Sequence, residues 1–161
     1  GHRLHPLKPF ERYSFCASSL TEEHMASLVD SSPYRDRIAP LDASLINCLA
    51  QRPEGYFDLS DFDGVDDFLA RGYGFTIPDG DDLMGVAYSS LVCSRGIEVS
   101  VYIEEKYRMK GAATALAARL VLECLRHGLR PNWDAANPES CRLAERLGYH
   151  LRESYKAYYY T

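Results

Sequence analysis

The chain predicts a single domain of mixed α and β elements, and three observations carry that prediction. Apolar residues recur at helical spacing in the first 70 or so residues and switch to alternation after Gly72. The alternating segments are joined by "PDGD" and "SRG", links too short for a crossover, so they predict an antiparallel meander. A long alanine- and leucine-rich helical pattern follows the last of them directly. At 161 residues the chain can bury one core without staples, and it carries no internal repeat, low-complexity tract or linker.

The elements follow in order. "RYSFCA" from Arg12 is a short strand candidate, and Thr21-Glu22-Glu23 caps a helix running to about Val29, with carboxylates in its first turn. "PLDASLINCLAQ" predicts a second helix capped by Asp42, with Leu45, Ile46 and Leu49 on one face. "DGVDDFLARG" predicts a short third one ended by Gly72. "YGFTI", "DLMGVAYSSLVC" and "GIEVSVYI" are the three strands of the meander. The long helix is expected from about Met109 to His127, with Ala113, Leu116, Ala117, Leu120, Val121 and Cys124 on its buried face and Arg119 and Glu123 paired four apart on another. "PNWDA" reads as a strand and "PESCRLAERLG" as a helix closed by Gly148. "YHLRESYKAYYYT" reads as a final hairpin turning near Glu153-Ser154.

Composition narrows the function classes. The chain is 46% hydrophobic and 25% charged, the balance of a soluble globular domain. Its net charge of −5 argues against a nucleic-acid binder, which needs a concentrated basic face. No apolar run approaches the length of a membrane span, and no secretory leader is recognisable. The 5 cysteines, 16, 48, 93, 124 and 141, are odd in number and irregularly spaced, which predicts free, mostly buried thiols and a cytoplasmic location. Cys124 and His127 lie three apart on one helix, but without a second ligand pair they read as a buried thiol and a helix-end histidine, and no metal is expected. Gly1-His2 reads as a tag remnant, and upstream sequence is expected to be missing.

The stretch "YRMKGAATALAARLVLECL" carries the chemistry. The strand runs straight into Arg108-Met109-Lys110-Gly111-Ala112-Ala113, and no Ser or Asp caps the helix. Such an entrance leaves backbone N–H groups unanswered, and these form a positive mouth that attracts anions. Gly111 would let the backbone close on a phosphate, Ala113 keeps the next turn small, and Arg108 and Lys110 add positive charge. An ordinary tight strand-to-helix turn fits the same six residues. A dinucleotide fold does not, because the preceding strands read as antiparallel and G-x-G-x-x-G is absent.

Arg108-x-x-Gly111-x-Ala113, placed after a strand and before an amphipathic helix, resembles the acyl-CoA pyrophosphate loop of the GCN5-related N-acetyltransferase (GNAT) superfamily. Downstream, "NPESCRLAERLGY" resembles the second signature of that superfamily, an Asn followed by a helix ending in Leu-Gly-aromatic. Within it, the segment from "GIEVSVYI" to "RLGY", together with "FLARGYGF", is similar to the zwittermicin-resistance-type branch. The resemblance is detailed from about Phe68 to Tyr159 and loose before that. It implies a GNAT fold, a mixed, mostly antiparallel twisted sheet flanked by helices, with two splayed strands forming an acyl-CoA cleft. It also implies acetyl-CoA as cosubstrate. About 1–70 would form the acceptor side and 71–161 the acetyl-CoA-binding core of one domain.

By the same resemblance, Val101 and Ile103 offer backbone groups to the pantetheine arm, with Tyr102 between them. The amides of Met109, Lys110, Gly111, Ala112, Ala113 and Thr114 hold the pyrophosphate beside Arg108, and Asn137 bonds the pantetheine across the cleft. Pro131 lacks an N–H and cannot complete a strand ladder, which suits a splayed pair as well as a plain strand start.

Acetyl transfer needs the amine deprotonated, the carbonyl polarised and the leaving thiolate protonated. Many members of the superfamily protonate the thiolate with a Tyr where this chain has Ala144. Ser140, one helical turn earlier, is the nearest hydroxyl, and it also reads as a first-turn capping group. For the base, Glu98 interrupts an apolar strand and Asp134 ends "PNWD"; Glu98 equally suits a structural acceptor, and His150 is a weaker candidate. Glu104 and Glu105 read as solvated.

The expected reaction is acetyl-CoA-dependent N-acetylation of a primary amine on a small molecule. The 12 tyrosines and the terminal "YKAYYYT" suggest aromatic walls for a cationic acceptor. Two alternatives stay open: a degenerate acyl-CoA-binding regulatory module, which the absent tyrosine permits, and an acetyltransferase acting on a peptide or aminoacyl-tRNA amine. Membrane association is not expected, nucleic acid is disfavoured by charge, and the oligomeric state is left open, a dimer included.

Overall fold

The structure is a computed structural model; it describes residues 7–53 and 56–160, and side chains for 11–53 and 56–154. The elements are β1 (Leu7–Cys16), α1 (Glu22–Asp30), β2 (Ala39–Pro40), α2 (Ala43–Ala50), α3 (Val65–Arg71), β3 (Gly74–Asp79), β4 (Asp82–Val92), β5 (Gly96–Ile103), α4 (Ala112–Arg126), β6 (Arg130–Ala135), α5 (Pro138–Leu147) and β7 (His150–Tyr160). One 7-stranded sheet carries them in the order β2-β3-β4-β5-β6-β1-β7. Every adjacent pair is antiparallel except β5 with β6. This is the mixed, mostly antiparallel sheet flanked by helices that the resemblance implies.

Local chemistry explains the helix boundaries. Thr21 Oγ1 accepts from the His24 N–H at 3.1 Å, Asp42 Oδ1 from Leu45 at 2.8 Å and Asn137 Oδ1 from Ser140 at 2.8 Å, so three helices start on side-chain caps. Gly148 closes α5 at φ 107°, a left-handed position that suits glycine.

Two apolar layers cover the sheet. The main core lies under α4, where Leu116, Ala117, Leu120, Val121 and Cys124 meet Phe75, Ile97, Val99 and Ile103. The second lies on the other face, where Ile46, Leu49 and Phe68 cover Val86, Tyr88 and Tyr56. Arg119 and Glu123 pair at 2.8 Å as the spacing predicts, and the Arg119 guanidinium also lies 4.4 Å from the Phe75 ring centre.

Four expectations need correction. The long helix starts at Ala112, because Met109 and Gly111 adopt left-handed backbone (φ 64° and 84°) that no right-handed helix accommodates. The chain end is one continuous strand rather than a hairpin. β1 lies along β7 and answers its ladder throughout, and a bulge at Ser14/Phe15 absorbs the extra Arg152 instead of a turn. The side chains of 155–160, with most of "YKAYYYT", lie outside the described residues, as do Gly1 and His2. Cys124 is the one fully buried thiol, while Cys48 and Cys93 are exposed. Glu104 is not solvated: it accepts from Arg52 at 2.7 Å, and Arg52 also binds Asp82 at 2.9 Å. The two-residue β2 gave no signal in the sequence, since two residues cannot show a period. Among the described residues, no helix is long and apolar enough to cross a membrane.

Candidate active site

The sheet opens between β5 and β6. Their parallel ladder holds for Gly96–Arg130, Ile97–Pro131 and Glu98–Asn132, and then stops, although β5 continues to Ile103 and β6 to Ala135. Pro131 therefore sits inside the paired section, and the strands diverge a single rung beyond it. Past that rung the edge of β5 facing β6 has no strand to answer its backbone groups, which must find another partner. The opening is a cleft of about 930 Å³.

At the far end of β5 the chain turns through a single 3₁₀ turn, Glu105–Tyr107, into the loop before α4. Gly111 is the N-cap of α4, and no side chain caps that end. A Cβ added to Gly111 would meet nothing within 4 Å, so the glycine answers a backbone requirement and not a lack of space. Met109 lines the cleft but is 95% exposed and also left-handed, so it contributes backbone while its side chain stands largely in solvent. Left-handed residues in such a loop turn successive N–H groups toward one concavity, and the dipole of a fifteen-residue helix adds to it. Arg108 has a different role from the one its charge suggests. Its Nε–H donates to the Ile103 carbonyl at 3.0 Å and its guanidinium lies 5.8 Å from the Tyr102 ring centre, so it ties the loop to the strand.

Opposite, on α5, stand two cations that the motifs did not single out. Arg142 and Arg146 both line the cleft, and Arg146 Nη1 donates to Thr114 Oγ1 in the first turn of α4 at 2.8 Å. Their i, i+4 spacing was the signal, since it puts both on one helical face. Val101, Tyr102 and Ile103 line the same cleft, as do Ala112, Ala113 and Asn137; Lys110 does not, although it is exposed in the loop. The Asn137 oxygen is spent on capping α5, which leaves its side-chain N–H groups to face a ligand.

The three catalytic candidates divide. Ser140 lines the cleft, and its backbone N–H is the one capped by Asn137; its hydroxyl does no capping and instead accepts the indole N–H of Trp133 at 3.1 Å. A hydroxyl that accepts from a pure donor keeps its own proton for a partner elsewhere. Asp134 also lines the cleft, held by Arg12 at 2.9 Å. Glu98 is on the last rung of the parallel ladder and does not line the cleft. Burial raises its pKa, the nearby Asp134 raises it further, and Arg12 opposes both. His150 is an exposed residue of β7. Ala144 is fully buried in the main core and does not line the cleft. Tyr149, after Gly148, offers no substitute acid: it is 2% exposed and its hydroxyl donates to the Pro131 carbonyl at 2.6 Å.

The wall facing α2 and α3 is aromatic. Tyr56 stacks on Tyr102 with ring centres 4.1 Å apart, and Phe57 on Tyr88 at 4.4 Å. The Tyr88 hydroxyl accepts the Asp58 N–H at 2.8 Å, and Ser100 Oγ donates to Ser90 Oγ at 2.8 Å. Alternation along β5 places Ser100 and Tyr102 on one face, but nothing in the sequence brings Tyr56 and Asp58 over them.

Several known proteins are similar to this chain in fold or in sequence. A GCN5-related N-acetyltransferase-like protein from Streptococcus suis 89/1591 superposes with a TM-score of 0.86 at 33% identity, over 96% of this chain and 63% of that one. A GCN5-related N-acetyltransferase from Kribbella flavida superposes at 0.58 and 15% identity, over 95% and 58%, a likeness of fold. An uncharacterized N-acetyltransferase, YdfB, of Bacillus subtilis (strain 168) is 30% identical over 100 residues, 61% of this chain and 38% of that protein. The chain thus spans less than two thirds of the length of these relatives. Residues 3–158, which include both diverging strands, the glycine entrance and the Asn-capped helix, match the family model of the GNAT acetyltransferases, and the chain belongs to that family of acyltransferases.

Proposed function

We propose that the chain transfers an acetyl group from acetyl-CoA to a primary amine of a small molecule. The observation that carries this reading is the uncapped, left-handed entrance to α4 at Gly111, set at the end of a strand whose neighbour has diverged from it. The residues fit the cosubstrate. The amides from Met109 to Thr114, with Arg142 and Arg146, suit a pyrophosphate; the open edge of β5 at Val101 and Ile103 and the Asn137 amide suit the pantetheine arm. Bound there, acetyl-CoA supplies an activated acyl group. The acceptor nitrogen forms a bond to the acetyl carbon, the carbon–sulfur bond breaks, the nitrogen gives up a proton and the sulfur leaves as a thiol.

Ser140 is the donor to the departing sulfur in this reading, standing where Ala144 cannot act. Asp134 and Glu98 share the carboxylate role, with Asp134 at the cleft and Glu98 behind it. The motifs favour the zwittermicin-resistance-type branch, and the wall of Tyr56, Tyr88 and Tyr102 suits an aminated metabolite. The buried Ala144 also favours a second reading, a module that binds acyl-CoA without turning it over. An acceptor screen with thiol release as readout separates the two. We expect release with small primary amines, rising with pH as free amine appears, and no acetylation of charged tRNA. Acetylated aminoacyl-tRNA at low enzyme, alongside inactivity against the amines, would refute this reading.

A further inference from the structure

The charged side chains on the cleft wall are Asp58, Arg108, Asp134, Glu139, Arg142 and Arg146. Arg108 and Arg146 are tied beside the glycine entrance, through Ile103 and Thr114, and Arg142 shares the face of Arg146, whereas Asp134 is tied to Arg12 and Asp58 to Tyr88; Glu139, in the first turn of α5, also lines the cleft. Asp134 is held by Arg12. Asp58 is placed differently. Its Oδ1 accepts the Ser60 N–H at 2.9 Å, which fixes the carboxylate, and its Oδ2 has no hydrogen-bond partner among the described residues. Its backbone N–H holds the Tyr88 hydroxyl, and Tyr88 is paired in register with Ser100, two residues past the last rung between β5 and β6. Asp58 is thereby anchored to the point where the sheet opens.

Tyr88, Tyr56 and Tyr102 line the same cleft, with Tyr88 bonded to Asp58 and Tyr102 stacked on Tyr56. Tyr56 is 2% exposed and lines the cleft, yet its hydroxyl has no partner among the described residues. The nearby Arg52, 5.7 Å from the Tyr56 ring centre, is neutralised by Glu104 and Asp82. The exposed Asp58 carboxylate beside the Tyr88 hydroxyl, on a wall that the unpartnered Tyr56 hydroxyl also lines, offers an alkylammonium charge and hydrogen-bond acceptors together.

The amine that attacks must be neutral, and the carboxylate role toward it falls to Asp134 and Glu98; a further carboxylate away from them holds an ammonium in its charged form. Asp58, at the exposed edge of the cleft, suits a second amine that stays protonated while the first reacts. We propose that Asp58, with Tyr56, Tyr88 and Tyr102, forms a subsite for the non-reacting ammonium of a small acceptor that carries at least two amino groups. This rests on the acyl-transfer reading and narrows its substrate class.

The test is acetylation by the full chain of length-matched linear alkyl amines with one or two amino groups, four to eight carbons long. Thiol release gives the rates, and calorimetry gives acetyl-CoA affinity. The wild-type chain should favour the diamine in kcat/KM by about 10- to 100-fold at the best length, the size of one hydrogen bond to a charged group. Asp58→Asn keeps the bond from Ser60 and removes the charge; it should collapse that ratio, chiefly by raising the diamine KM, with acetyl-CoA affinity within about twofold. Turnover of amines without a diamine preference, or a preference that survives in Asp58→Asn, overturns the subsite and leaves acyl transfer standing. A wild-type chain that binds no acetyl-CoA, or that binds it and turns over no amine, overturns both.

Discussion

The indole N–H of Trp133 donates to the hydroxyl of Ser140 across 3.1 Å, from a strand at the open edge of the sheet to the first turn of the helix beyond it. Because indole can only donate, the bond fixes the serine as acceptor toward the protein and leaves its proton for the cleft. Ser140→Ala should lower kcat about 10- to 100-fold, the range for losing one acid, with acetyl-CoA affinity little changed. Trp133→Phe, which removes the orienting donor and keeps a smaller aromatic ring, should give a smaller loss. Steady-state kinetics with chemistry shown to limit the rate would check both; an unchanged kcat for Ser140→Ala refutes the assignment.

Gly111 is left-handed with open space around its missing side chain, so substitution costs backbone strain and covers the mouth of α4. Gly111→Trp should remove most acetyl-CoA affinity while the far-ultraviolet circular dichroism of the fold stays native. Gly111→Ala should lose stability by about 1–2 kcal/mol and less affinity. Equal acetyl-CoA affinity for the wild type and Gly111→Trp by calorimetry would show that the phosphate site lies elsewhere.

Arg146 bridges α5 to α4 through Thr114 and stands with Arg142 at the cationic end of the cleft. Arg146→Gln should weaken CoA binding and flatten its dependence on salt, since exposed charge–charge attraction is screened. Thr114→Val, which removes the hydroxyl and keeps the cation, should affect salt dependence far less. Affinities for CoA at low and high ionic strength read the difference.

Glu98 titrates above its ordinary value because it is half-buried and lies near Asp134. Between the unfolded-state pKa of about 4.3 and the raised folded one, the native chain holds a proton that the unfolded chain has lost. Stability from this group is therefore complete below that window and declines as pH rises through it. Glu98→Gln should abolish that decline, so melting temperatures of the two proteins converge at low pH and separate in favour of the variant toward neutrality. If Glu98 also serves as base, the variant loses the acid limb of its kcat/KM profile; if it is structural, the limb remains.

How far the sequence reaches is clear from particular elements. Thr21 and Asp42 mark helix starts because a cap is a bond between residues three apart, and Gly148 marks an end for the same local reason; Asn137 makes the same kind of bond, which the sequence by itself assigns to Ser140 instead. The alternation from Tyr73 to Ile103 determines a meander, and the missing side-chain cap at Gly111 is legible before α4, since both follow from residues adjacent in the chain. Only the tertiary structure decided that β1 lies between β6 and β7, making the chain end one strand and bringing Arg12 to Asp134. Pairing across more than a hundred residues leaves no periodic trace, because a ladder constrains backbone groups that every residue carries. Likewise Tyr56 and Asp58 meet Tyr88 and Tyr102 only because the chain after α2 packs over β4 and β5. The aromatic side of the cleft is built from such distant meetings, which burial drives and no local spacing encodes.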